Sequence, residues 1–269
     1  MIYGFLGTGK MSSAIITGMI KGGYNPENIL GYNRSNNTID NLCNEYGIIK
    51  CKSQKELIDG SDIVILGVKP NVLDNIKESL SKDLKSNNPL IISLAVGKTI
   101  DYLEKSLGEN NRIVRLMPNI NSITLASTTG YSANKNVSSD DISLMEKAFG
   151  TIGTIESIPE KQFHIFSAIA GSSPAFSYMY INALATAAVK AGMPKDKALK
   201  IAASSVLGSA KTVLETGANP YELIDSVCSP GGTTIEGVAS LKSSSLESTV
   251  INAVDKVLEK DAFISKGEK

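Results

Sequence analysis

The sequence predicts an α/β domain followed by an all-α domain, and three observations support this division. Up to about residue 159, short β-branched runs alternate with longer amphipathic stretches, which is typical of a parallel sheet flanked by helices. Beyond that point the strand-like runs stop and long alanine-rich stretches follow. Proline and glycine interrupt those stretches where helices begin and end. We therefore predict domains at residues 1–159 and 160–269.

Apolar, β-branched runs predict the strands of the first domain. The runs IVILGV and LIISLAV do not alternate with polar residues, as expected for strands that helices cover on both faces. These strands should lie in the centre of the sheet. The predicted strands are residues 2–6, 29–32, 63–68, 90–94 and 113–116.

The helices of the second domain are apolar over a wide arc, in places all round. Residues 183–189 carry no polar stripe, and Ala202, Ala203, Val206 and Leu207 continue the apolar surface on the next helix. One layer of helices cannot bury so wide a surface, so partners are needed on several sides. We therefore predict an obligate homodimer.

Composition excludes several classes of function. Lysine plus arginine and aspartate plus glutamate number 27 each, and no dense basic run is present, which argues against a nucleic-acid partner. No apolar window approaches the roughly 18 residues that a membrane span needs. Three cysteines without a CxxC pair, and the single histidine His164, argue against a metal site. We predict a cytoplasmic protein without membrane, metal or nucleic-acid partners.

A glycine-rich turn follows the first predicted strand and leads directly into a helix. Its GxGxxS pattern places Gly7 at a tight turn, Gly9 where the backbone can approach a pyrophosphate, and Ser12 where helix and strand pack closely. The alternative is an ordinary turn with two glycines. The position after a first strand favours dinucleotide binding, with the cofactor contacted by Gly7, Thr8, Gly9, Lys10 and Met11.

The second predicted strand ends in Asn33, Arg34 and Ser35. An NAD-binding protein normally offers a carboxylate here to the ribose 2′-hydroxyl, yet residues 28–37 contain none. A guanidinium between an amide and a hydroxyl suits a 2′-phosphate. We predict these three residues as cofactor ligands and NADPH as the cofactor, with NADH possible; the alternative is an exposed turn arginine.

Two other predicted strands end in candidate ligands at the carboxyl edge of the sheet, where open α/β folds bind ligands. One of them runs out into Val68, Lys69 and Pro70, which are predicted to lie along the cofactor; the alternative for Lys69 is an ordinary exposed lysine at a strand end. Asn119 follows another and is predicted to donate to the nicotinamide side. A Pro-Asn pair is also a common turn signal, so Asn119 alone does not predict a site and is interpreted as one only together with the other motifs.

The second domain contains a glycine-rich turn that opens a helix. Gly231 and Gly232 would expose backbone N–H groups to a carboxylate, and Thr233 and Thr234 would add hydroxyl groups. Alternatively, the segment is only a helix cap, with Thr233 and Glu236 as a capping box. Ser172, before the most apolar helix, is a candidate wall of the same substrate pocket or part of a close-packing turn.

The predicted helix over residues 176–189 lacks charged residues, which bears on the chemistry. Reduction of a ketone needs a proton donor beside the hydride acceptor. An imine can enter already protonated, so the protein needs only to position it and bind its carboxylate. Neutral hydroxyl and amide groups suffice for an NADPH-dependent imine reductase.

The motifs GFLGTGKM, VKP, MPN, GSSPA and SPGGTTIEGV occur in this order, and with them nearly the whole chain resembles the pyrroline-5-carboxylate reductase family. The resemblance implies a Rossmann-like domain and a helical domain that interleaves with its twofold mate, which completes each site; such dimers often form rings. It implies reduction of 1-pyrroline-5-carboxylate to L-proline, the last step of proline biosynthesis. Gly232, Thr233 and Thr234 would hold the substrate, with the Thr234 hydroxyl as the catalytic partner of the ring nitrogen.

The chain departs from the family pattern at Ile120 and Asn121, where Thr-Pro is usual, and at Ser173, where glycine is usual. One alternative is a related imine oxidoreductase or a 3-hydroxyacid oxidoreductase. The latter would carry a catalytic lysine on the helix between the domains, which Lys161 and Lys190 only flank. Another alternative is a non-catalytic NADP-binding regulator.

Overall fold

The computed structural model describes residues 1–35 and 37–265, with side chains up to residue 263. It divides into two compact units. The first is Met1–Gly171, to which Phe263 also belongs, and the second is Ser172–Ala262. The first is an α/β unit and the second is helical, which confirms the predicted fold class.

The described part of the first unit contains an eight-stranded sheet with the order β3-β2-β1-β4-β5-β6-β7-β8. Strands β1 to β6 are parallel, β7 is antiparallel to β6, and β8 is parallel to β7. Tyr3 of β1 is in register with Ile29 of β2 on one side and Ile63 of β4 on the other. The strands are β1 (Tyr3–Leu6), β2 (Ile29–Tyr32), β3 (Ile49–Lys50), β4 (Ile63–Leu66), β5 (Leu90–Ser93), β6 (Ile113–Met117), β7 (Ser127–Ala133) and β8 (Gly153–Ser157).

Helices cover both faces of this sheet. Side chains alternate along the central strands, so Phe5 and Ile65 join one apolar layer while Leu6 and Val64 join the other. One layer is covered by α1, α2 and α6, and the other by α3, α4 and α5. The helices are α1 (Lys10–Lys21), α2 (Asn37–Tyr46), α3 (Gln54–Asp59), α4 (Pro70–Leu84), α5 (Ile100–Leu107) and α6 (Ser139–Gly150).

All five predicted strands are present, but β3, β7 and β8 were not predicted. β3 has two residues, both exposed, at the edge of the sheet. β7 has the sequence STTGYSA, in which small polar residues replace the aliphatic ones that mark a buried strand. β8 is the other edge strand and has no buried residue.

Residues 160–171 pack on the sheet and therefore belong to the first unit. A 3-10 turn (Glu160–Gln162), helix α7 (Phe163–Phe166) and a π-helical stretch (Ser167–Ser172) follow one another. Phe163 is 1% exposed and lies 4.5 Å below the Arg115 guanidinium, which also forms a 3.0 Å ion pair with Glu160. The boundary placed after residue 159 from the sequence thus precedes a segment that contacts the sheet.

The second unit consists of helices over its described length. Helices α8 and α9 pack through Ala185, Ala198 and Ala202, whose small side chains allow a close approach. Gly217, with φ +63°, ends α9, and Pro220 is the first residue of α10, as the punctuation predicts. The helices are α8 (Ser173–Lys190), α9 (Lys195–Thr216), α10 (Pro220–Val227), α11 (Thr233–Ser243) and α12 (Leu246–Ser265).

Much of the apolar surface of the second unit is exposed in a single chain. Met179, Leu207, Leu214 and Val227 are each between 64% and 81% exposed. Such a surface requires a partner, as the sequence predicts. Among the described helices, none combines the length and apolar character needed to cross a bilayer.

Candidate cofactor and substrate sites

Gly7 turns the chain at the carboxyl end of β1. Its φ is +95°, and its N–H donates to the Tyr32 carbonyl at 2.9 Å. A Cβ at Gly7 would lie 2.8 Å from Cγ1 of Val68 and 2.9 Å from the Gly67 carbonyl carbon. Glycine is therefore required both by the conformation and by the space between the ends of β2 and β4.

The N-terminus of α1 follows this turn and has no side-chain cap. Gly9 is the N-cap residue, and the first intrahelical bond runs from Ser13 N–H to the Gly9 carbonyl at 2.9 Å. The N–H groups of Lys10, Met11 and Ser12 therefore have no acceptor within the helix. No acidic residue lies in the first turn, and nothing lies within 4 Å of a Cβ built on Gly9. These residues fit a bound pyrophosphate.

Thr8 and Asn33 form two hydrogen bonds with each other. Thr8 is fully buried; its N–H donates to Asn33 Oδ1 at 2.6 Å, and Asn33 Nδ2 donates to Thr8 Oγ1 at 2.6 Å. Both residues were expected to contact the cofactor. The two hydrogen bonds fix the glycine-rich turn against the end of β2, and contact of these residues with the cofactor stays a prediction.

Arg34 and Ser35 are exposed directly after Asn33. Arg34 lines a cleft of about 460 Å³ with Gly7 and Val68. Asp40, the first carboxylate after this turn, forms a 2.6 Å ion pair with Lys50. The cleft thus combines an exposed guanidinium with the apolar side chains of Val68, Val72 and Ile76, as the adenosine 2′-phosphate half of a dinucleotide requires.

The other predicted cofactor residues lie at the start of α4. Val68 packs against Gly7 and lines the cleft, Lys69 is the exposed N-cap residue, and Pro70 is the first helical residue. The structure therefore brings together Gly7, Asn33, Arg34 and Val68. Val72, Ile76 and Gln54 also line the cleft but were not predicted from the sequence. The i, i+4 spacing of Val72 and Ile76, and the position of Gln54 at a helix start, could have indicated them.

Asn119 lies away from solvent, with 4% of its surface exposed. Its Nδ2 donates to the Ala170 carbonyl at 3.0 Å, and its Oδ1 accepts from the Asn121 N–H at 3.2 Å. The second of these bonds starts a 3-10 turn, Ile120–Thr124. The amide thus bonds inside the protein, which differs from the donation to nicotinamide expected from the sequence.

The glycine-rich turn of the second unit opens α11. Gly231 has φ +68°, and Gly232 N–H donates to the Ser229 carbonyl at 3.0 Å. Gly232 is the N-cap residue, so Thr233 is already helical and the expected capping box with Glu236 is not formed. That expectation was wrong because it placed the helix start one residue too late. The first N–H groups of α11 have no side-chain cap and can bind an anion.

Thr233 and Thr234 are the first two residues of α11, and both are exposed. They directly follow Gly231 and Gly232 in the chain, and their contact with a substrate stays a prediction. Ser172 is the half-buried last residue of the π-helical stretch and precedes α8. Within the described residues, no three His, Cys, Asp or Glu side chains are grouped to hold a metal ion.

Family models of known proteins match parts of both units. Residues 160–263 match the family model for pyrroline-5-carboxylate reductase dimerisation, and residues 2–97 match the model for NADP oxidoreductase, coenzyme F420-dependent. Pyrroline-5-carboxylate reductase of Escherichia coli K12 is 39% identical over 264 residues, which cover 98% of both chains. The chain belongs to the pyrroline-5-carboxylate reductase family. The resemblance identified from the motifs is confirmed.

Solved structures of the family share the fold over nearly the whole chain. Pyrroline-5-carboxylate reductase from Coxiella burnetii matches with a TM-score of 0.87 and 34% identity over 97% of each chain. Plasmodium falciparum pyrroline carboxylate reductase with NADP bound matches with a TM-score of 0.86 and 32% identity, covering 97% of this chain and 96% of that one. The second unit of this family member lies within the region matched by the dimerisation model.

The loop after β5 lies at the same carboxyl edge of the sheet, and no role was assigned to it from the sequence. Val96 is 53% exposed at the carboxyl edge of the sheet, and Gly97 has φ +77°. A 2.6 Å ion pair between Lys98 and Asp74, joined by the Tyr102 hydroxyl, holds this loop against α4. Hydrogen bonds from Lys98 and Tyr102 hold the pKa of Asp74 below its usual value. The apolar run ending in glycine was the available signal.

Proposed function

We propose that this chain reduces 1-pyrroline-5-carboxylate to L-proline with NADPH, the last step of proline biosynthesis. The observation that carries the proposal is a pair of helix N-termini, those of α1 and α11, that have no side-chain cap and each follow a glycine turn. The relatives that match nearly the whole chain are pyrroline-5-carboxylate reductases. One N-terminus suits a pyrophosphate and the other a carboxylate.

NADPH, when bound, supplies the hydride. The N–H groups at the start of α1 would hold its pyrophosphate, and Arg34 would bind the 2′-phosphate that distinguishes NADPH from NADH. The absence of a carboxylate from residues 28–37 supports the same preference. Val68, Lys69 and the exposed Val96 lie at the carboxyl edge along which the rest of the cofactor would extend.

The α11 turn orients the imine. Backbone N–H groups of Gly232, Thr233 and Thr234 hold the substrate carboxylate, and the Thr234 hydroxyl contacts the ring nitrogen, with Gly231 shaping the turn and Ser172 in the pocket wall. Hydride adds to the carbon of the protonated C=N bond, and the π electron pair moves to nitrogen, giving the secondary amine. The nitrogen already carries its proton, so these neutral groups only need to position it.

A second copy of the chain completes each site in this proposal. The dimerisation model covers the second unit, and the exposed apolar side chains of α8 to α11 need such a cover. We also place the protein in the cytoplasm. Its reducing environment keeps thiols free, and the described Cys43, Cys51 and Cys228 form no disulfide. Light scattering coupled to gel filtration would measure the assembly, including any ring of dimers.

The direct test is oxidation of NADPH by purified protein with racemic 1-pyrroline-5-carboxylate. We expect turnover with the imine, faster with NADPH than with NADH, and L-proline as the product by chiral chromatography. A 3-hydroxyacid with NADP⁺ serves as the control and should give no reduction of the cofactor. NADPH binding without imine turnover would overturn the proposal and favour a regulator.

A further inference from the structure

The turn that begins at Asn119 is packed tightly against α1. A Cβ at Gly18 of α1 would lie only 2.4 Å from the Ser122 carbonyl oxygen, so glycine is required for this approach. Lys21 Nζ also donates to the Ile123 carbonyl at 3.2 Å. The turn is therefore fixed to α1, the helix whose N-terminus is proposed to hold the cofactor pyrophosphate.

Asn119 bonds through its main chain and its side chain. Its N–H donates to Ser127 Oγ at 3.2 Å, and its carbonyl accepts from Ser122 Oγ at 2.7 Å. Its Oδ1 caps the turn through Asn121, which leaves Nδ2 to reach the Ala170 carbonyl. With 4% of its surface exposed, Asn119 is placed to join two segments and not to touch a ligand.

Ala170 lies in the π-helical stretch that ends at Ser172. Such stretches are rare, and because Pro174, four residues further on, has no N–H to donate, the buried Ala170 carbonyl is suited to a partner from elsewhere in the chain. Ala170 is 8% exposed, and Asn119, 51 residues away in sequence, supplies that partner. Upstream, Phe166 lies over Gly130, where a Cβ would come within 3.0 Å of its ring. The bond to Ala170 thus fixes the main chain two residues before Ser172.

We propose that Asn119 is a positioning residue that sets the main chain leading into Ser172 and thereby shapes the imine pocket. The proposal rests on the proposed function, in which Ser172 forms part of that pocket. It assigns the Asn119 amide to the substrate side of the reaction and not to the cofactor.

The test uses Asn119→Ser and Asn119→Asp in the full-length protein. Both replacements keep an oxygen that can cap the turn. An ionised aspartate has no donor for the Ala170 carbonyl, and the shorter serine side chain cannot both accept from the Asn121 N–H and reach that carbonyl. Ser122→Ala is the matched control, because it removes a buried hydrogen bond from the same turn and leaves the bond to Ala170 in place. Readouts are hydrogen exchange over residues 163–176, KM for the imine and the dissociation constant of NADPH.

We expect both Asn119 variants to exchange faster over residues 167–172 and to raise KM for the imine about tenfold. NADPH affinity should stay within about twofold of the wild type, and Ser122→Ala should leave exchange over 167–172 unchanged. Equal weakening of NADPH binding would make Asn119 a cofactor ligand and overturn the proposal, as would unchanged exchange in whichever Asn119 variant folds. If the wild type does not reduce the imine, the proposed function fails, while exchange still decides whether Asn119 fixes the segment.

Discussion

Thr8 and Asn33 exchange two hydrogen bonds of 2.6 Å across the ends of β1 and β2. The pair fixes the glycine-rich turn, because Thr8 is fully buried and directly precedes Gly9. Asn33 also directly precedes Arg34, the residue proposed to bind the 2′-phosphate. The geometry of the phosphate turn and the position of Arg34 are therefore coupled through one side chain.

Asn33→Asp should change cofactor preference without loosening the turn. A carboxylate can accept from both the Thr8 N–H and the Thr8 hydroxyl, so both bonds persist, but a negative charge appears beside the 2′-phosphate site. We expect KM for NADPH to rise about tenfold while KM for NADH holds or falls. Asn33→Leu, which breaks both bonds, should weaken both cofactors; an equal loss in Asn33→Asp would contradict this account.

Arg34→Ala should weaken NADPH binding by roughly 10- to 100-fold and leave NADH binding nearly unchanged, since only NADPH carries the 2′-phosphate. Fluorescence titration with each nucleotide measures this directly. Lys55→Ala is a matched control, because Lys55 lines the same cleft but forms a 2.8 Å ion pair with Asp59. A similar loss in Lys55→Ala would mean that general charge, not Arg34, selects the cofactor.

Thr234→Ala should lower kcat far more than NADPH affinity, because the hydroxyl is proposed to contact the imine nitrogen only. A loss of about 10- to 100-fold is expected for a hydrogen bond to a charged group. Thr234→Ser retains the hydroxyl and should recover most of the turnover. Unchanged kcat in Thr234→Ala would remove this residue from the mechanism.

A double change of Leu207 and Leu214 to glutamate should abolish dimerisation. The two residues lie seven apart on α9, hence on one face, and are 69% and 81% exposed in a single chain. Gel filtration with light scattering should show a monomer. The NADPH oxidation assay should show little activity. Lys197→Glu, on another side of α9, alters charge without removing apolar surface and should remain dimeric.

Deprotonation of the Cys51 thiol should lower the stability of the folded protein at alkaline pH. Burial, with a smaller effect of Glu56, raises the pKa of this thiol from 9.0 to about 11. The thiol has a higher pKa in the folded state than in the unfolded state. Its contribution to the free energy of unfolding is therefore complete below pH 9.0 and is lost as pH rises toward about 11. Denaturant unfolding across this window should show a smaller decline for Cys51→Ala than for the wild type, with Cys228→Ala as the control.

The central strands and the glycine turns could be predicted from the sequence because each depends on a local pattern. The bonds from Asn33 to Thr8 and from Asn119 to Ala170 could not, since they join residues 25 and 51 apart whose side-chain directions depend on the folded sheet. A buried amide and an exposed one look alike in sequence. β7 was missed for a related reason, because tertiary packing and not propensity makes its polar residues extended.

The second unit buries few side chains in one chain: Pro174, Ala185, Ala198 and Ala202. No described side chain of α10 or α11 is buried at all. A protomer therefore has only a small core in this unit, between α8 and α9, and folding of the remaining helices is linked to association by mass action. Dilution should lower the melting temperature, and a substitution on this surface should act as a core mutation does. The expression level of such a protein then sets its stability as well as its amount.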